Sequence, residues 1–179
     1  MRKPRKLVEG ARYHVIARAN RKEMILDCGA MKALFVEVVE RAKRKYDFEV
    51  ENFCVMGNHF HLMVRPRKGT RLSSMMQWIM SVFAMAWNRI HHLTGHVWGE
   101  RFFSRVIESL MEFMQVFGYI DENPVKAGLV GNRQDWQFGG LWHRRTGRRG
   151  ILEPLSLLIE VLFPGHRLLI LGAPHDRHR

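Results

Sequence analysis

The sequence predicts an α+β fold, a ferredoxin-like βαββαβ sandwich with an added C-terminal helix. Three observations predict it. Short alternating segments and long stretches of helical periodicity follow one another in the order strand, helix, strand, strand, helix, strand. The pair Gly57-Asn58 between two strand-like segments marks a hairpin in the middle of that order. The remaining joins are short, and right-handed crossovers leave few other arrangements, so the split βαβ sandwich follows. Two helices then lie on one face of the sheet, and the other face is expected to be bare.

Each element has its own signal. RYHVIAR, Arg12 to Arg18, alternates with Tyr13, Val15 and Ala17 on one side. Asp27 reads as the N-cap of a helix reaching about Tyr46, with Met31, Leu34, Phe35, Val38 and Ala42 as its apolar stripe. FEVENFCVM and HFHLMVR are the hairpin strands, and Pro66 and Gly69 end the second. Leu72, Met76, Ile79, Phe83, Ala86 and Ile90 recur at helical spacing, so a helix runs from about Leu72 to His91, its methionines serving as core filler. Residues 97–107 read as a strand interrupted by Gly99. Ser109 to Glu112 is a capping box opening a third helix, whose stripe is Leu110, Phe113, Phe117 and Ile120. After about Val130 the pattern loosens into a basic extension, residues 131–179, with a short helix over 155–163 and a frayed end. Residues 1–130 form the principal domain.

Composition narrows the function. The chain has 179 residues, with 29 Lys and Arg against 17 Asp and Glu and a formal net charge of +12. Self-repulsion on that scale points to a polyanionic partner, nucleic acid before an anionic membrane. No apolar run approaches the ~20 residues of a membrane span. The basic start has no apolar segment behind it, so no signal peptide is expected. Two cysteines, Cys28 and Cys54, make neither a disulfide framework nor a structural zinc site and fit a reducing cytoplasm.

Two constellations carry chemistry. His59 and His61 stand at i and i+2 of a strand, so both imidazoles share one face while Phe60, Leu62 and Val64 share the other. The apolar set must meet the helices, which turns the imidazoles to the opposite face as a partial metal site. Tyr119 lies roughly 200° round the third helix from Phe117, away from the stripe, with its hydroxyl available as a nucleophile. Asn123, one turn later, precedes Pro124; it is either a metal ligand or the N-cap of a new turn, and spacing favours the cap.

GNHFHLMV followed by YIDENPVKAGLV resembles the single-tyrosine HUH transposases of the IS200 type, and within them the REP-associated tyrosine transposases. RYHVIARANRK, VWGERFFSRVI and DWQFGGLW are supporting blocks in the same order, and the resemblance spans roughly residues 10–142. It implies a bacterial, nucleoid-associated enzyme that cuts and rejoins single-stranded DNA, with hairpin-forming DNA as its partner and a monomer or homodimer as its state. The added helix is then catalytic: Tyr119 attacks the phosphate, leaving a 5′-phosphotyrosine and a free 3′-OH. His59 and His61 hold a divalent metal, Mg²⁺ or Mn²⁺, with Asn123 standing where the IS200 pattern often has Gln. The basic residues are then phosphate contacts: Arg2, Lys3, Arg5 and Lys6 in an N-terminal arm, Arg12, Arg18, Arg21 and Lys22 around the first strand, and Arg65, Arg67, Lys68 and Arg71 after the histidine strand. Trp98 and Trp142 are either base-stacking platforms or core residues.

Two other function classes compete. One is a non-cleaving module that binds structured single-stranded DNA or RNA, against which the presence of His59, His61 and Tyr119 speaks. The other is a metal-dependent hydrolase, which needs more His or Asp ligands than the H-x-H pair supplies.

Overall fold

In the computed structural model, residues 8–148, 150–154 and 156–166 are described. Four strands, β1 (Arg12–Arg18), β2 (Phe48–Val55), β3 (His59–Pro66) and β4 (Phe103–Ile107), form one antiparallel sheet in the order β2-β3-β1-β4. Helix α1 (Gly29–Lys45) links β1 to β2, and α2 (Leu72–His91) links β3 to β4. This is the expected ferredoxin-like arrangement. After β4 come α3 (Leu110–Lys126), the short α4 (Gly140–Arg145) and α5 (Leu157–Leu162). None of the described helices is long and apolar enough to cross a membrane.

The inner face of the sheet buries Val15, Ala17, Phe53, Val55, Phe60, Leu62 and Val64 against α1 and α2. Phe35 of α1 lies 4.4 Å from the Phe60 ring, centroid to centroid, and both are fully buried. Each such side chain contributes roughly 1.5–3 kcal/mol through the apolar surface it removes from water. Met75, Met76 and Met80 of α2 fill the same core, whereas Ile90 is exposed because the last turns of α2 run beyond it.

The outer face is not bare. Helix α3 lies across β2 and β3 and buries Phe113, Val116, Phe117 and Ile120 against Cys54, Met56, Met63 and Ile107. Its apolar stripe thus lands on the side of the sheet opposite α1 and α2. A β-bulge in β2 lies beneath it. Val50 and Phe53 both face inward, so the two residues between them, Glu51 and Asn52, depart from strict alternation.

Other sequence expectations need correction. Helix α1 begins at Gly29 with Cys28 at the cap, while Asp27 accepts a hydrogen bond from the Cys28 backbone N–H. Pairing in β4 starts only at Phe103. Before it, Trp98 makes a single bridge to Ala19 and turns its indole inward to donate to the Met80 carbonyl. A Cβ on Gly99 would stand 3.2 Å from the Asn20 Cα, so the chain there passes too close for a regular strand with side chains. Ser109 does cap α3, accepting from the Glu112 N–H, and Glu112 reaches back to the Glu108 N–H.

Asn123 caps nothing. Helix α3 continues through Pro124, which stands in its last turn and has no N–H to return to the Ile120 carbonyl. Gly128, at φ +68°, then closes the helix, with the Leu129 N–H on the Pro124 carbonyl and the Gly128 N–H on the Val125 carbonyl. The described part of the basic extension is tied to the sheet. The Val55 N–H donates to the Phe138 carbonyl, Trp136 donates to the Val55 carbonyl, and Ile151 and Leu152 join the inner core. Helix α5 matches the helix expected over 155–163, and the end read as frayed lies outside the described residues.

Candidate active site

Strand pairing explains which side chains meet. Opposite partners in the sheet share a face, and β1 pairs Arg18 with His59, Ile16 with His61 and His14 with Met63. The outer face therefore carries His59 and His61 from β3 together with a third imidazole, His14, from β1. His61 and His14 are buried, and His59 is half-buried.

Each histidine of the H-x-H pair is held through Nδ1. His59 Nδ1 lies 2.8 Å from Asn58 Oδ1, and Asn58 is itself fixed by donating to the Lys22 carbonyl. His61 Nδ1 lies 3.0 Å from His14 Nε2. In both cases Nε2 is the nitrogen left over. For His61 that atom is buried without a hydrogen-bond partner.

Burial keeps these imidazoles neutral. Desolvation lowers His59 to a pKa of about 4, with the Arg18 charge adding to it. His61 falls to about 3, first through burial and then through His14, His59 and Arg18. His14 falls to about 4 through burial and the nearby Arg105. Unprotonated imidazoles with a free Nε2 have the chemistry of divalent-cation ligands. No cluster of three His, Cys, Asp or Glu groups with metal-binding geometry occurs among the described residues. A cation here would thus draw two protein nitrogens and take its other donors from side-chain amide, solvent or substrate oxygen.

Helix α3 brings Tyr119 to this cluster. Its ring stands edge-on to His61 at 5.5 Å and to His14 at 6.2 Å, yet 43% of the residue remains exposed. Lys126, two turns on, places its ammonium 5.2 Å from the centre of the tyrosine ring. Asn123 is buried and donates to the Tyr119 carbonyl, so its amide stays on the tyrosine's side of the helix.

The neighbours of Tyr119 are anchored by a buried polar group. The Asn52 amide donates to the Phe117 carbonyl at 3.2 Å and to Asp121 Oδ1 at 2.9 Å. His166 Nε2 donates to Asp121 Oδ2 at 2.7 Å, and Arg144 faces His166 Nδ1 while donating to the Glu51 carbonyl. Residues 117 and 121 are therefore pinned on either side of the nucleophile candidate.

The basic residues separate into groups. Arg18, Arg21 and Lys22 are exposed at the His59 end of β1. Arg12 is instead held by Glu51, its Nε 2.8 and 2.9 Å from the two carboxylate oxygens. Arg65 and Arg67 pair with Glu49. Arg67 stands six residues along the chain from His61, about 20 Å at strand rise, so it, Lys68 and Arg71 lie at the far end of the sheet. Arg2, Lys3, Arg5 and Lys6 fall outside the described residues. Trp98 belongs to the inner core, near Phe35, Phe60 and Phe83, while Trp142 is half-buried beneath the Arg148 guanidinium.

Sequence reasoning missed His14, Asn58 and Lys126. His14 had a usable signal, since its parity in RYHVIAR sets it opposite the apolar side of that strand. Lys126 had another, being seven residues from Tyr119 and so on the same stripe.

Comparison with known proteins gives the family and the fold. The model of the family described as "Transposase IS200 like" matches residues 7–123. A REP-associated tyrosine transposase of Escherichia coli (strain K12) is 25% identical over 142 residues, which cover 78% of this chain and 80% of that one. A solved structure of a REP-associated tyrosine transposase bound to a REP hairpin superposes with a TM-score of 0.71 at 24% identity. It covers 86% of this chain and 89% of its own, and so shares the fold.

Proposed function

The chain belongs to the IS200-like transposase family, and on that premise we propose that it cuts and rejoins single-stranded DNA through a covalent link to Tyr119. The observation that carries this reading is the meeting of an exposed tyrosine with two neutral histidines, one of them with a buried, unpartnered Nε2. The Tyr119 oxygen attacks phosphorus and gives up its proton. The bond to the 3′-oxygen breaks, that oxygen takes up a proton, and a 5′-phosphotyrosine remains. One ester replaces another, so the reverse reaction with a new 3′-OH rejoins the strand without further energy input.

His59 and His61 would hold a divalent cation through Nε2, with the Asn123 amide on the same side, and Mg²⁺ or Mn²⁺ would polarise the phosphate and orient it for in-line attack. The protein's own residues do the rest. Asn58 and His14 fix the two imidazoles, the Asn52–Asp121–His166 group holds α3, and Lys126 adds positive charge beside the ring. Arg18, Arg21 and Lys22 would take phosphates at the mouth of the site, with Arg12, Arg65, Arg67, Lys68, Arg71 and the N-terminal arm contributing more distant contacts. Hairpin-forming DNA is the proposed substrate, since a REP-associated relative is bound to a REP hairpin.

The test is an SDS-resistant protein–DNA adduct on hairpin-bearing single strands. Wild type forms it with Mg²⁺ or Mn²⁺. Tyr119→Phe binds the same DNA and forms none. Adduct persisting in Tyr119→Phe would remove Tyr119 from this role, and binding without nicking in wild type would leave a recognition module.

A further inference from the structure

We propose that His14 is a positioning residue: it holds the proton of His61 on Nδ1, so that Nε2 presents its lone pair to a divalent cation. The inference rests on the metal reading of the site and assigns a role to a residue outside the H-x-H pair.

The argument is one of hydrogen-bond accounting. The two rings lie within 20° of coplanar and approach edge to edge, with His14 Nε2 3.0 Å from His61 Nδ1. In-plane geometry is what an imidazole N–H and an imidazole lone pair require. One proton is shared across this contact, and it can belong to either ring. If His14 donates, neutral His61 must carry its own proton on Nε2. That nitrogen is buried and has no acceptor, so an N–H there would be stranded, at the desolvation cost of an unmade hydrogen bond. If His61 donates, the contact is satisfied and Nε2 bears a lone pair, which a cation can fill. Only the second arrangement leaves no stranded donor.

The sheet builds this contact in. His14 is opposite Met63 and His61 is opposite Ile16, so the two imidazoles are diagonal neighbours across β1 and β3. Tyr119 closes over both rings, at 73° to His14 and 85° to His61, and limits their rotation. Asn58 Oδ1 serves His59 in the same way, so the two ligand candidates have matching supports, one from the hairpin turn and one from the neighbouring strand. Partners of this kind fix ring orientation and tautomer in metal-binding histidines.

Two variants separate positioning from filling space. His14→Gln puts an amide oxygen close to where Nε2 stands and can still accept, whereas His14→Phe keeps the ring volume and accepts nothing. Nitrogen-15 NMR of the metal-free, DNA-free protein reads the His61 tautomer directly. The expected result is a proton on Nδ1 in wild type and in His14→Gln, and a mixed population in His14→Phe. Titration with Mn²⁺ alone should show affinity about ten- to a hundredfold weaker in His14→Phe and within about threefold of wild type in His14→Gln. A proton on His61 Nε2 in wild type overturns the inference, as does a His14→Phe protein with the wild-type tautomer. If wild type binds no Mn²⁺, the metal reading fails by itself, while the NMR result still decides whether His14 sets the proton of His61.

Discussion

The two faces of the sheet are built on opposite principles. The inner face is a continuous apolar layer in which Phe35, Phe53, Phe60 and Phe83 are sealed from water. The outer face has a smaller apolar cluster under α3, and around it the buried polar groups His14, Asn52, His61, Asp121, Arg144 and His166. Desolvating those groups opposes folding unless each finds a partner. A chain carries such a face for what it holds in place, and here it holds the helix that bears Tyr119. Stability resides mainly on one side of the sheet and the candidate site on the other.

Mutations should reveal the same division. The largest effect expected is the loss of all metal-dependent cleavage when His59 and His61 are both replaced by Ala. Melting should fall modestly, since His14 loses its buried partner, and cleavage per folded molecule at the wild-type rate would break the comparison. Phe60→Ala, between those two histidines but facing inward, should do the reverse. A urea titration should show about 3–5 kcal/mol of lost stability, with cleavage per folded molecule kept.

Asp121→Ala lies between these extremes. It strands His166 and Arg144, so a loss of about 3 kcal/mol is expected, at the low end for a broken buried pair. Because Asp121 also pins α3, cleavage should fall more than the folded fraction does. Equal losses in the two assays would make the buried network purely structural.

Acid should sharpen the contrast. His14 and His61 have folded-state pKa values of about 4 and about 3, below the ordinary 6.5. The unfolded chain therefore takes up protons first. Their contribution is fully present above pH 6.5 and is lost as pH falls from there through about 4 and then about 3. Urea midpoints for wild type should drop across that window, and less so in His14→Gln. The smallest effect belongs to Ser109→Ala, about 1 kcal/mol for a lost helix cap.

Much of this was legible from residue order. Alternation in RYHVIAR and HFHLMVR gave the strands and placed both histidines on one side, and the spacing from Leu72 to Ile90 gave α2. The covering of the outer face was not legible. Periodicity shows that Phe113, Phe117 and Ile120 form a stripe, but not which side of the sheet the stripe will meet. Met63 and Cys54, the residues that receive it, are each flanked by inward-facing apolar residues, so they read as part of one apolar run and carry no signal of their own. Asn123-Pro124 misled for a related reason. The dipeptide suits a helix start, but the closing bonds around Gly128 show it to be a helix end, a stop that Gly128 signals four residues further on. Parity in RYHVIAR shows which face His14 takes, but its partner, 47 positions away, could be read only once β1 and β3 were in register.

The bulge in β2 has a mechanical consequence. Two adjacent side chains leave the strand without an inward-facing residue between them, and they grip different parts of the molecule: Glu51 takes the guanidinium of Arg12, and Asn52 takes the backbone and carboxylate of the tyrosine's helix. One irregular step thus works as a yoke between the first strand and the last long helix. Deleting Glu51 to straighten this edge would slacken both attachments together, even though every inward-facing residue would remain in its layer.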